Sequence, residues 1–145
     1  MIKGHWGAEH RNYGRALAVL ADAHLETGHL QEAESLLKQS QEILRRGNDG
    51  PDQVTLELGD MTAKLYCKQG KPSEAHELLE KLLAVMEPAW GAEHPMLRSP
   101  LRQLAAAKRT LGQETEAQLL ERRAQQIEAE LSEYKRRRSF NRTWD

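Results

Sequence analysis

Gly28-His29-Leu30-Gln31-Glu32-Ala33, Gly70-Lys71-Pro72-Ser73-Glu74-Ala75 and Gly112-Gln113-Glu114-Thr115-Glu116-Ala117 are one segment written three times, 42 residues apart. A glycine opens each copy and Glu-Ala closes it, so chance does not explain the spacing. The parts have physical jobs. Glycine enters the left-handed conformation of a helix stop without a Cβ clash, and Pro72 fits the first turn of a following helix, where a missing N–H costs nothing. Each copy therefore reads as the turn between two helices.

Working outward, Trp6-Gly7-Ala8-Glu9-His10 recurs letter for letter as Trp90-Gly91-Ala92-Glu93-His94, two periods on, and Asn48-Asp49-Gly50-Pro51-Asp52 stands midway as a loop of the same character, with Asp52 in the histidine's place. The histidines read as capping or packing residues of the turn. Ala21, Ala63 and Ala105 share a register, as do Ala33, Ala75 and Ala117. Small side chains at two fixed points let paired helices approach closely. Around them apolar residues recur at spacings of three and four: Leu17, Leu20 and Ala21, then Leu36, Leu37 and Ile43, with Leu78, Leu79, Leu82 and Val85 in the second copy and Leu120, Ala124 and Ile127 in the third. Such spacing marks amphipathic helices. Six are expected, near 11–27, 30–46, 52–69, 72–87, 95–111 and 114–134. The class is all-α: an α–α superhelix of three helix pairs with an extended last helix, since one pair cannot cover its own apolar face.

The unit resembles a tetratricopeptide repeat, and its length resembles the 42-residue version found in kinesin light chains and bacterial relatives. Trp90-Gly91-Ala92-Glu93-His94-Pro95 is similar to that group's linker, and Leu17…Leu20-Ala21…Gly28…Glu32-Ala33-Glu34…Leu37 to its helix core. The resemblance spans about residues 6–130. It gives repeats at 6–47, 48–89 and 90–131 in a domain covering 1–134, followed by a basic, disordered tail at 135–145.

The copies are not uniform. Gly59 and Thr62 stand where the others have Leu17/Leu101 and Leu20/Leu104, and Leu58, Met61 and Leu65 are expected to compensate by a small helix rotation. Glu121 and Glu128 replace Leu37/Leu79 and Leu44/Met86, which reads as a polar end cap formed by the last helix itself. Only five residues precede Trp6, so the first repeat is expected to show an uncovered apolar flank, suited to self-association, or to be part of a longer array.

The resemblance implies a concave face built by the first helix of each pair. The positions carried across are Arg15, Ala18, Val19, Asp22 and Glu26, then Glu57, Asp60, Met61, Lys64 and Lys68, then Ser99, Arg102, Gln103, Ala106 and Arg109. A protein or peptide ligand is the implied partner. Acidic Asp22, Glu26, Glu57 and Asp60 lie toward one end, and basic Lys64, Lys68, Arg102 and Arg109 toward the other. The lysine, asparagine and arginine with which chaperone-binding relatives clamp a terminal carboxylate are replaced by Ala18, Asp22, Met61, Ser99 and Gln103. Ala18-Val19 and Arg102-Gln103 likewise stand where kinesin light chains carry paired asparagines.

Composition agrees with a binding protein. The 145 residues are 39% apolar, 30% charged and 5% aromatic, with 21 basic against 22 acidic side chains, so no overall charge calls for nucleic acid. A single cysteine, Cys67, makes no intramolecular disulfide, and no apolar run nears the ~20 residues of a membrane span. The opening residues lack the apolar core of a signal peptide. A cytoplasmic setting is expected. The six histidines lack metal-ligand spacing; His5/His10 and His24/His29 are five apart, a poor fit to one helix face. No phosphate loop, dinucleotide motif or nucleophile elbow is present. No enzyme, cofactor or metal is expected. Lys135-Arg136-Arg137-Arg138 suits the negative pole of a helix, with contact to an acidic partner as the alternative. Beside the interaction module stand two other readings: a self-associating scaffold, and a sensor or regulatory segment of a larger signalling protein.

Overall fold

The computed structural model describes the backbone of residues 3–45 and 52–142, and the side chains of 11–44 and 52–142. Six α-helices lie among them: α1 (Lys3–Thr27), α2 (Leu30–Arg45), α3 (Gln53–Lys68), α4 (Pro72–Trp90), α5 (Arg98–Thr110) and α6 (Glu114–Arg142). They pack consecutively, α1 on α2, α3 on α4 and α5 on α6. The pairs then stack through α2 on α3 and α4 on α5. The architecture is an all-α arrangement of paired helices with a longer last helix.

The three turns behave as their glycines predict. Gly28, Gly70 and Gly112 take φ of 83°, 74° and 82°, a region costly for any residue with a Cβ. Past each, an N–H folds back on the helix just ended: His29 to the His24 carbonyl at 2.9 Å, Lys71 to Tyr66 at 2.8 Å and Gln113 to Lys108 at 2.8 Å. This is the six-to-one closure of a left-handed helix stop. Ala21, Ala63, Ala105, Ala33, Ala75 and Ala117 are all fully buried. Two apolar clusters hold the stack. One joins α1 and α2 to α3 through Leu25, Leu37, Leu58 and Leu65; the other joins α3 to α4, α5 and α6 through Leu56, Leu79, Leu101 and Ile127.

Three boundaries differ from expectation. Helix α1 begins at Lys3, taking in Trp6–His10, whereas the same five letters at Trp90–His94 leave α4 at Gly91 (φ 92°) and enter a 3₁₀ turn at Pro95–Leu97. One residue differs after the shared letters: Pro95 disfavours helical geometry at its predecessor, and His94 is extended (φ −63°, ψ 131°), whereas the first copy has Arg11 there. Helix α4 continues past 87 through Pro88 to Trp90, and α6 continues past 134 to Arg142, so residues 135–142 are helical and not a disordered tail. From Ser132 to Arg142 every α6 side chain is exposed.

The middle copy is differently filled. A Cβ on Gly59 would come within 2.8 Å of Leu82, so a large residue on α4 occupies the space vacated on α3. At the equivalent positions the sizes are reversed: Leu17 with Ser40, and Leu101 with Ala124. Leu58 and Leu65 are buried against the first pair, and Met61 packs beside them. Thr62 is not a lost leucine but a polar bridge, since its Oγ1 receives the Gln41 Nε2 donor at 2.9 Å and donates to the Leu58 carbonyl at 2.7 Å. Leu20, expected on a buried stripe, is exposed, and so is Val85.

Candidate binding face

The carried-over positions fall mainly on one side of α1, α3 and α5. A cavity of about 310 Å³ between α1 and α3 is lined by Arg15, Ala18, Val19, Glu57 and Met61, with Leu44, Gln53, Val54 and Leu58 behind them. A second, of about 660 Å³, opens at the start of α5 over Pro95, Met96, Arg98, Ser99, Arg102 and Gln103. Ala18 is buried as part of the first cavity's floor. Lys68 and Ala106 are exposed on the same helices and line neither cavity.

Charges expected to form a gradient instead tie the helices together. Lys64 reaches back from α3 to Asp22 at 3.7 Å and Glu26 at 3.6 Å on α1. Ser99 of α5 donates its hydroxyl to Asp60 Oδ2. Burial pushes the Asp60 carboxyl above the ordinary range; the Ser99 bond and Lys64 oppose the shift, and Asp22 adds to it. Its Oδ1 is buried without a hydrogen-bond partner. Arg109 does not join the others. Its guanidinium binds Glu121 at 2.9 and 3.0 Å and Glu114 at 2.9 Å, both on α6. Its register shows why: Arg109 lies two periods beyond Leu25, a core residue, whereas Glu26 corresponds to Thr110.

The linker is built by its histidine and by α6. His94 Nδ1 accepts the Met96 N–H at 3.1 Å, capping the turn, and its ring lies 4.8 Å from that of Trp90. Asp52, one period earlier, caps α3 by accepting the Thr55 N–H at 2.8 Å. Arg123 of α6 holds the linker from the side, bonding the Ala92 carbonyl at 2.8 Å and Glu87 at 2.7 Å. The corresponding Trp6 and His10 side chains lie outside the described residues.

The tetratricopeptide-repeat family profile matches residues 61–127, a span that contains the second and third glycine turns and the capped linker. The chain carries a tetratricopeptide-type repeat fold. It is related to kinesin-light-chain-like repeat proteins: a crystal structure of nearly identical TPR-like repeats from Podosopora anserina, described as a kinesin light chain, is 30% identical and superposes with a TM-score of 0.73. The match covers 83% of this chain and 57% of that one, so the chain spans little more than half of that relative's length. No curated protein matches the sequence.

Other chemistry finds little support in the repeat fold. Among the described residues no group of three His, Cys, Asp or Glu side chains is placed to hold a metal. The His24 and His29 rings meet edge to face at 5.6 Å, and His29 Nδ1 is engaged by Thr27 Oγ1 at 2.8 Å. Burial raises the Cys67 thiol above its usual range, which disfavours the reactive thiolate. No described helix is long and apolar enough to cross a membrane.

What sequence reasoning missed is pairing. Lys108, buried on α5, holds Glu116 at 2.7 Å and Glu80 at 3.6 Å and lies 3.1 Å from His76 Nε2, joining α5 to α6 and α4. Arg98 pairs with Glu128, and Arg109 with Glu121. A signal existed. Wherever the third copy turns a core position acidic on α6, it turns the facing position on α5 basic: Leu25/Leu37 becomes Arg109/Glu121, and Gly14/Leu44 becomes Arg98/Glu128.

Proposed function

We propose that the chain is a protein-interaction module of the 42-residue, kinesin-light-chain-like repeat type, with repeats at about 6–47, 48–89 and 90–131, that binds a peptide or partner protein across the concave side of α1, α3 and α5. The observation that carries this is the α1/α3 cavity, because five positions carried over from the family line that one recess. Its floor is apolar (Ala18, Leu58, Met61) and its rim charged (Arg15, Glu57), the composition of a site that takes an apolar side chain and orients it by polar contacts. Arg102 at the α5 cavity supplies a cation further along the same face. The chain binds without turnover, and a cytoplasmic setting suits its single thiol.

A displayed library of random peptides, selected on the intact chain and then measured in solution, tests the reading. Met61→Glu and Arg102→Glu should each weaken the selected peptides by about tenfold or more, while Lys81→Glu on α4 leaves them unchanged. Peptides that bind all three variants alike would overturn the groove. One observation favours a second reading, self-association through the first repeat: the outer face of α1 is apolar and uncovered among the described residues.

A further inference from the structure

Helix α6 does not stop where α4 does. Trp90 ends α4, and one period on stands Ser132, yet α6 runs on to Arg142. Gly91 and Pro95 of the linker are replaced there by Glu133 and Arg137. Helix formers thus take the places of a helix-ending glycine and a proline, so the extension is a property of these residues. At 1.5 Å per residue, 132–142 is a rod about 16 Å long, and every side chain on it is exposed.

The rod is basic on all sides. Lys135, Arg136, Arg137, Arg138 and Arg142 stand against one carboxylate, Glu133, in a chain whose net charge is −1. Four consecutive cations, each turned about 100° from the last, encircle the helix. Arg138 continues the line of Ile127, Leu131 and Tyr134, and Arg136 points about 160° away from it. Among the described residues Glu133 holds Arg137 at 2.6 Å, whereas Arg136, Arg138 and Arg142 pair with no carboxylate. The helix dipole favours cations in the last turn, which accounts for Arg142 and not for 135–138. At the root of the rod, Arg98, which bonds Glu128, and nearby Arg102 and Lys135 hold that carboxyl below its ordinary range. Cations outnumber the acid there too.

We propose that this rod binds double-stranded DNA, lying in the major groove between the two phosphate walls. Shape and charge select that occupant. A groove about 12 Å wide admits one α-helix, and cations on opposite sides of the helix reach both strands at once. A flat anionic membrane would meet one side and would need an apolar face. The exposed Tyr134 and Phe140 point about 120° apart and make none. A groove in a partner protein takes a helix by apolar anchors at i, i+3, i+4 and i+7, and from Leu131 those positions hold Tyr134, Lys135 and Arg138. Phosphate contacts carry no sequence information, so the binding is independent of base sequence. It is also independent of the groove proposed above, which lies on α1, α3 and α5.

Fluorescence anisotropy of the 145-residue chain with a short labelled DNA duplex tests this, with circular dichroism confirming that each variant keeps its helix. With four phosphates neutralised, affinity should fall about a hundredfold between about 50 and 200 mM salt. Arg136→Gln and Arg138→Gln, on opposite sides of the rod, should each lower the salt slope by about one. The double variant should lower it by about two, while Lys81→Gln on α4 leaves it unchanged. A single strand of the same sequence should bind more weakly, since it offers no second phosphate wall. Equal binding of the single strand, or a loss confined to one of the two arginines, overturns the groove placement. A chain that binds no duplex at low salt overturns the proposal outright. So does polyglutamate that displaces the labelled duplex as well as unlabelled duplex does, or phosphatidylserine vesicles that do the same, since the occupant is then an acidic protein or a membrane.

Discussion

Arg109 on α5 grips Glu121 on α6 with two guanidinium hydrogen bonds, at 2.9 and 3.0 Å, in the register where the first pair places Leu25 and Leu37 and the second Cys67 and Leu79. Leu25, Leu37 and Leu79 are buried and Cys67 is half-buried, while this pair is partly exposed. Exchanging both residues for leucine recreates an apolar seam at the end of the stack. Light scattering on the Arg109→Leu/Glu121→Leu chain should show concentration-dependent species larger than those of the parent. Unchanged size would mean that the end is closed by something besides charge.

Gly59 and Leu82 exchange size across the middle pair, and a double-mutant cycle reads this. Leu82→Ala alone should cost about 2–5 kcal/mol by opening a cavity, and Gly59→Leu alone should destabilise by overpacking. Together they reproduce the Leu101/Ala124 arrangement of the third pair, so the double variant should be markedly more stable than the sum of the singles in urea titrations. Additive losses would show that the two positions do not share one space.

The two described linker caps should behave alike. His94→Ala and Asp52→Ala each leave a turn N–H without its acceptor, and each should lose about 1 kcal/mol of stability. His94→Asn should keep part of it. Thermal unfolding checks this; an Asp52→Ala chain as stable as the parent would deny the cap any weight.

Acid acts on Asp60 and on the end-face glutamates with opposite sign. Burial raises the folded pKa of Asp60, so its ionised form is a cost that appears as pH rises from the ordinary aspartate value through the raised one. Asp60→Asn should therefore stabilise the chain at neutral pH, with the gain vanishing below about pH 3.9. Glu114 and Glu121 are held low by Arg109, Glu116 by Lys108 and Glu128 by Arg98. Their contribution is whole above the ordinary glutamate value and is lost as pH falls through their lowered ones. Melting temperature followed from pH 7 to pH 2 in both chains separates the two. A parent and an Asp60→Asn variant that differ equally at every pH would refute the Asp60 assignment.

The amino-acid sequence by itself determined where helices turn and which faces meet. Three glycines at one spacing can only be repeated helix stops, and six alanines in two registers can only be close contacts, because these roles are local and depend on backbone conformation and residue size. Tertiary structure decided which side chains answer one another. Nothing local links Gly59 to Leu82, Lys64 to Asp22 and Glu26, Asp60 to Ser99 or Arg109 to Glu121; each pair lies on different helices, brought together only when the helices pack. The linker shows both levels at once. Trp-Gly-Ala-Glu-His is helix at residues 6–10 and a helix end and turn at 90–94; arginine follows the first copy and proline the second, and proline disfavours helical geometry at the residue before it.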